Sequence, residues 1–356
     1  VSSRRKLGLA GGIAGALAVG AAAGLAAERY VIGRARLGPD PDADEPFFEL
    51  PADRVRRVAA DDGVLLHVEE VGPERAPLTV VFCHGYTQQL AVWHYQRQAL
   101  AAEGLGKLVF FDQRSHGRSG RSRPENATID QLGRDLLAVL QASAPTGRVV
   151  LVGHSMGGMT IMALADQHPE LFGDRVVGVA LIATSPGNLA SVTFGLPAAM
   201  SGINGRVLPY LTRGMQGRPE LFESGRRLGT DLAFVAARRA AFGSGEVSPS
   251  LVEFVEKMTA DTPVDVIADF YGTFMDHDKL EALGALQDVE TLVLVGSRDV
   301  LTPVAHSRKI AAELPEAQLV VVEGAGHMVQ LERAPLVTLH VRALLRRASR
   351  TSSRTA

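Results

Sequence analysis

Residues 149–158 read VVLVGHSMGG, an apolar β-branched run that stops at Gly153 with a serine two positions on. Gly-x-Ser-x-Gly is the pattern of a sharp strand-to-helix turn that carries an exposed serine at its apex. Glycines are needed there because the backbone is crowded on both sides. In a chain with 37 glycines the pattern alone has little force. Its context is more selective. Residues 148–152 (RVVLV) have the composition of a buried strand, and 156–168 (MGGMTIMALADQH) read as a helix with a small, apolar face. Ser155 is therefore a candidate nucleophile, placed where such a turn would present it.

Outward from this turn, strand patterns alternate with helical ones. Candidate strands are 54–60, 64–71, 78–83, 107–112, 148–153, 176–183, 291–296 and 317–322. Helical patterns occupy 91–103, 128–142, 156–168, 304–313 and 334–347. The alternation implies an α/β fold with a mostly parallel, eight-stranded sheet covered by helices on both faces. The first two strands suit an antiparallel hairpin closing around Asp61-Asp62-Gly63. Residues 186–285 break the rhythm. They hold no convincing strand, they carry helical patterns at 219–241 and 250–271, and they are far too long for an ordinary connection. We expect an inserted helical cap there, with a start (GLPAAMSGINGRVLPY, 195–210) punctuated as a mobile lid would be. The core is then 54–185 and 286–348, followed by a flexible tail over 349–356.

The rest of the composition is ordinary. Hydrophobic residues make up 46% and charged residues 21%, and the net charge of −2 gives no field that would favour nucleic acid. One cysteine, Cys83, excludes an intramolecular disulfide and reads as a small core residue. No P-loop or HExxH occurs, and no metal or other cofactor is expected. The N-terminus departs from this average. Ser3-Arg4-Arg5-Lys6 precedes 21 uncharged residues (7–27), long enough to span a bilayer. Fifteen of these are Ala or Gly and only six are Leu, Ile or Val, so insertion would be weakly favoured. Three readings stay open: a retained anchor, a cleaved export signal of the twin-arginine type, or an Ala/Gly-rich tail. The first two put the protein at or beyond a membrane, and the third leaves it cytoplasmic. Residues 28–53, rich in Pro, Asp and Glu, read as a linker.

A serine hydroxyl is a weak nucleophile until a base takes its proton, and that base needs a carboxylate to orient it. In a parallel sheet reactive groups gather at the carboxyl ends of the strands. Residues 291–303 (TLVLVGSRDVLTP) end in a loop with Asp299, and 318–332 (QLVVVEGAGHMVQLE) place His327 just past the last strand. Asp276 and Asp278 are rival acids but precede the strand that should present one. Ser155, Asp299 and His327 in that order, with the turn around Ser155, resemble the α/β-hydrolase family over residues 54–348. The resemblance implies an oxyanion loop in VVFCHGYTQ (80–88), with the backbone N–H groups of Tyr86 and Met156 as donors. VFFDQRSHGRSG (109–120) is similar to a structural signature of the same family. His84 and His116 then read as backbone braces, His154 as a partner within the turn's surroundings, and His277 is undecided.

A serine rather than an aspartate at the turn argues against epoxide-hydrolase and dehalogenase chemistry, and Met156 stands where prolyl peptidases of the family typically carry Trp. The expectation is hydrolysis of a carboxylic ester through an acyl-enzyme. An apolar lid (Phe254, Phe270 and Phe274 among its residues) leans toward hydrophobic or lipid-like substrates, although most such residues simply pack helices. Carbon–carbon bond hydrolysis and a haloperoxidase-like reaction share the motif. A silent, membrane-tethered binding protein is the alternative of another class.

Overall fold

The computed structural model describes residues 39–189, 238, 241–243 and 247–350. The expected N-terminal span, residues 28–38 of the linker, cap residues 190–237 and the tail beyond Arg350 lie outside them, as does the helical pattern at 219–241 apart from Arg238 and Ala241. No described helix is long and apolar enough to cross a membrane.

The sheet has eight strands: β1 (Arg54–Ala59), β2 (Leu65–Val71), β3 (Leu78–Cys83), β4 (Lys107–Phe111), β5 (Arg148–His154), β6 (Val176–Ile182), β7 (Glu290–Gly296) and β8 (Gln318–Val322). Their spatial order is β1-β2-β4-β3-β5-β6-β7-β8. β2 runs antiparallel to β1 and β4, and the rest of the sheet is parallel. The β1–β2 hairpin turns at 61–63, where Gly63 takes φ +86°. The described α-helices of ten or more residues are α1 (His94–Glu103), α2 (Ile129–Ser143), α3 (Met156–Gln167), α4 (Pro249–Asp261), α5 (Val264–Asp276), α6 (Val304–Glu313) and α7 (Ala334–Arg350).

Because side chains alternate across a strand, a sheet covered on both faces needs apolar residues at every position. β3 shows the result. Val80 and Phe82 join a core with α1, α4 and α7, whereas Val81 and Cys83 join one with α2, α3, α5 and α6. On the first face Phe82 stacks on Phe110 of β4 at 4.6 Å. Truncating such a ring to alanine costs about 3–5 kcal/mol. On the second, α2 begins where the Thr128 hydroxyl accepts the Gln131 N–H, and it buries Leu132, Leu136, Val139 and Leu140 at helical spacing.

Within the described part of the expected insertion, one detail differs from the sequence reading. The pattern at 250–271 is two helices, because Pro263 breaks it: α4 ends at Asp261 and α5 starts at Val264. The cap's two roots are tied together. Gly187 bridges Asp278, Lys279 N–H bonds Pro186 O at 2.8 Å, and His277 Nε2 lies 3.0 Å from Ser185 O. His277, undecided from sequence, thus braces these roots.

The described part of the expected linker is docked on the fold. Asp40 accepts hydrogen bonds from the N–H and hydroxyl of Ser250 in α4, Asp42 accepts from Tyr95 in α1, and Glu45 lies 2.9 Å from His94. Phe47 stacks on Phe254 of α4 at 4.4 Å, and Phe48 meets the same ring edge-on at 4.8 Å. Residues 39–53 therefore form a strap joining cap to core.

Candidate active site

β5 delivers Ser155 at the middle of the sheet. Its backbone sits at φ 53°, ψ −118°, a conformation that L-residues avoid at a cost of about 1–3 kcal/mol. Neighbours over-determine it. Ser155 N–H bonds Ile182 O (3.0 Å), and its carbonyl accepts from Gly158 N–H (2.9 Å) and the Thr184 hydroxyl (2.7 Å). The glycines are there for room. A Cβ on Gly157 would lie 2.1 Å from the Cys83 carbonyl oxygen, and one on Gly153 would lie 2.5 Å from the Gly157 carbonyl oxygen. The helix can start this close to β3 only because those positions lack a side chain. Ser155 itself is half-buried.

Asp299 lies three residues past the end of β7, and His327 five past the end of β8. Both are buried, and His327 Nδ1 donates to Asp299 Oδ2 at 2.9 Å. The other oxygen, Oδ1, accepts the Leu301 and Thr302 N–H groups, each at 2.8 Å, and the Thr302 hydroxyl donates to Oδ2 at 2.8 Å. Burial works to raise the Asp299 pKa, but His327 and the Thr302 bonds outweigh it and hold the carboxyl below its ordinary value. Asp299 is therefore an anion aimed at one imidazole nitrogen. Asp276 closes α5 and Asp278 sits in the bridge at the cap's root, so the carboxylate bonded to His327 among the described residues is Asp299.

His327 is tied to the serine turn through residue 154. The His154 ring packs 4.8 Å from the His327 ring, and its Nε2 lies 3.0 Å from the His327 carbonyl oxygen. Its Nδ1 is 3.2 Å from Gln88 Oε1, which also accepts the Gly85 N–H at 3.0 Å. Gln88 Nε2 donates to Met328 Sδ. A polar chain under the serine thus joins loop 84–88 to the loop that carries His327. Burial and the neighbouring His327 push the His154 pKa down to about 3, which keeps it neutral.

Cys83 and Gly153 are paired across β3 and β5, and Tyr86 and Met156 each lie three residues beyond that pair. Neither backbone N–H has an acceptor among the described residues. The Tyr86 N–H is nevertheless oriented. His84 Nε2 accepts the Gln113 N–H at 2.9 Å, so its proton is on Nδ1, which donates to Gly85 O at 2.7 Å. In a planar trans peptide the N–H points opposite to the C=O, so holding the Gly85 oxygen aims the Tyr86 N–H. Burial and nearby His116 take the His84 pKa down to about 3. His84 braces backbone, as its place in the motif suggests. His116 likewise bonds the Arg114 carbonyl through Nδ1, and burial brings its pKa to about 4. In the segment 109–120, Asp112 accepts from Leu90 and Arg118 N–H groups, and fully buried Arg114 bonds both Asp135 and Asp62. Both are structural contacts.

Sequence reasoning missed Thr302, Gln88 and Glu332. Glu332 Oε2 accepts the N–H groups of Gly326 (2.8 Å) and Gly243 (3.0 Å), which fastens the His327 loop to cap residue 243. The Asp-x-x-Thr spacing of 299–302 could have pointed to Thr302, since it is the spacing of a side-chain-capped turn. Nothing local marks the other two. No group of acidic, His or Cys side chains suited to a metal occurs among the described residues.

A strained serine turn, a carboxylate-bound histidine and a loop offering a free N–H, all at the carboxyl ends of a mostly parallel sheet, define a class of protein. The profile of the α/β hydrolase fold family matches residues 79–334, and the chain belongs to that family. Among curated relatives, a dihydrolipoyllysine-residue acetyltransferase component of an acetoin cleaving system from Pseudomonas putida is 31% identical over 80% of this chain and 68% of its own. The proline iminopeptidase PfmaB from Pestalotiopsis fici is 26% identical over 80% of this chain and 97% of its own. Among solved structures, a thermophilic esterase from Thermogutta terrifontis superposes with a TM-score of 0.65 at 25% identity, covering 83% of this chain and 99% of that one. An enol-lactonase from Burkholderia xenovorans superposes at 0.64 with 26% identity, over 82% and 99%. The chain is a hydrolase-family protein with esterase-like neighbours.

Proposed function

We propose that the protein is a serine hydrolase that cleaves carboxylic esters of hydrophobic, lipid-like substrates. The observation that carries this reading is the His327–Asp299 pair beside the strained Ser155 turn. In the proposed reaction Ser155 Oγ attacks the ester carbonyl carbon while His327 Nε2 takes its proton. Tyr86 and Met156 N–H groups hold the developing oxyanion, a contribution of about 3–4 kcal/mol per donor where it has been removed in other enzymes. Collapse of the intermediate expels the alcohol, which receives the proton from His327. Water, deprotonated by the same imidazole, then releases the acid. Asp299 keeps the proton on Nδ1 and stabilises the imidazolium.

The esterase and the enol-lactonase support an ester as substrate, since a lactone is a cyclic ester. For an apolar acyl group the support is the aromatic face that α5 turns to Tyr86, with Phe274 at 4.9 Å and Phe270 at 6.4 Å between ring centres. The test is hydrolysis of p-nitrophenyl esters from acetyl to palmitoyl by the full chain, with Ser155→Ala as control. A Ser155-dependent rate that rises toward medium or long chains is expected. Activity confined to acetyl esters would remove the lipid-like class, and activity that survives Ser155→Ala would remove the mechanism.

A further inference from the structure

The loop that offers the Tyr86 N–H is held from below by the core and from above by the cap. From below, Gln88 takes the Gly85 N–H and His84 takes the Gly85 carbonyl. The loop then turns through Thr87 at φ 56°, a left-handed conformation unfavourable for a β-branched residue. From above, the Tyr86 hydroxyl donates to the Ile267 carbonyl in the first turn of α5. Its ring meets Phe274, one and a half to two turns further along the same helix, at 4.9 Å and 67°. Burial and the Asp269 carboxylate hold the phenol far above its usual pKa, so it stays a donor. The backbone and the side chain of one residue thus face different bodies, the nucleophile turn and the cap.

We propose that the Tyr86 side chain is a positioning group that couples the seating of cap helix α5 to the geometry of the oxyanion donor, so that the cap governs the chemical step as well as access. The inference rests on the serine-hydrolase reading and adds to it. If α5 lifts, Tyr86 loses its side-chain anchor, and its N–H is aimed by the contacts of its neighbour Gly85 with His84 and Gln88.

The experiment compares full-length wild type, Tyr86→Phe, Phe274→Leu, the double variant and Ser155→Ala on p-nitrophenyl butyrate. Two inhibitors are added: a trifluoromethyl ketone and the matching methyl ketone. The first accepts Ser155 Oγ at its carbonyl carbon, with the serine proton passing to His327, and leaves an oxyanion in the donor site. The second binds without forming the adduct. Tyr86→Phe keeps the ring and deletes one hydrogen bond, so kcat should fall about 3- to 10-fold with KM within about twofold. Affinity for the trifluoromethyl ketone should fall by the same factor, and that for the methyl ketone should not change. Phe274→Leu should lower kcat in wild type but add little in Tyr86→Phe, because both act through one contact. Tyr95→Phe, which deletes a comparable hydroxyl contact at the strap, should leave kcat unchanged. A raised KM with intact kcat, or additive losses in the double variant, would overturn the coupling while leaving Ser155 chemistry standing. Activity that persists in Ser155→Ala would overturn both.

Discussion

Asp299→Asn separates the electrostatics of the site from its architecture, because the structure dictates which way the amide must face. Oδ1 accepts two backbone N–H groups, from Leu301 and Thr302. An amide nitrogen cannot accept them, so the Asn oxygen has to occupy the Oδ1 position and its NH2 the Oδ2 position. There the NH2 meets His327 Nδ1 and the Thr302 hydroxyl. The hydroxyl can rotate and become an acceptor, so the loop survives. The imidazole cannot adapt without cost. With a donor facing Nδ1, its proton moves to Nε2, the nitrogen that should take the serine proton. The expected result is a fall in kcat of about 10⁴ near neutral pH, the size of loss such a tautomer reversal causes in a triad. Stability to urea should change by no more than about 1 kcal/mol, since most of the hydrogen bonds persist. Initial rates on p-nitrophenyl butyrate and a urea titration of the same sample check both numbers. A loss in kcat below about 10-fold would refute the argument, as would an equal loss accompanied by unfolding.

Three further outcomes follow from other contacts. Gly157→Ala would put a Cβ 2.1 Å from the Cys83 carbonyl oxygen, so strand and helix must separate. Urea unfolding should show about 3 kcal/mol of destabilisation, whereas Gly272→Ala, with nothing within 4 Å in α5, should gain about 0.5–1 kcal/mol. Tolerance of Ala at 157 within about 1 kcal/mol would contradict the crowding. His84, His154 and His116 have folded pKa values of about 3, 3 and 4 against an ordinary 6.5, with burial the main cause. They stay neutral when folded and charge on unfolding, so their stabilisation is present above pH 6.5 and is lost as pH falls toward 4. The slope reaches about 4 kcal/mol per pH unit for three protons. Asp112 and Asp135, whose carboxyls burial raises, oppose it in part. Urea midpoints that stay flat from pH 7 to 5 would refute this. Phe47→Ala should cost about 2 kcal/mol and speed proteolysis of α4, measured by limited digestion. An unchanged digestion pattern would mean that the strap does not hold the cap.

The parallel strands β3 to β7 were legible because each is a short, mainly apolar run, whereas β1 and β2 were marked by alternation and by the Asp-Asp-Gly turn between them. The expected and observed ends of β3 coincide, and those of β7 differ by one residue. The serine turn was legible for the same reason, since 148–158 carries strand, glycine spacing and helix in one segment. Asp299 and His327 could be placed by asking what lies past the last two strands. Other features were hidden because they are made by distant side chains. Nothing in DEPFFELPAD announces that Phe47 and Phe48 dock on Phe254, some two hundred residues on; Pro and acidic residues suggest a solvated linker, and the two rings outweigh them. The split at Thr262-Pro263 was readable from the proline alone and was masked by the continuous apolar periodicity around it. Gln88, Glu332 and the Tyr86 hydroxyl act through single long-range bonds, which leave no period and no spacing in the chain.

The strap also decides where a mechanical load enters the molecule. Its first described contacts, at Asp40, are to Ser250 in α4, a cap residue, and the sheet is reached only further along at Arg54. A pull exerted upstream of Pro39 therefore reaches the cap before it reaches β1. If the chain is tethered at that end, tension on the tether would be felt first by α4 and next by α1 through Tyr95, and would reach the sheet last.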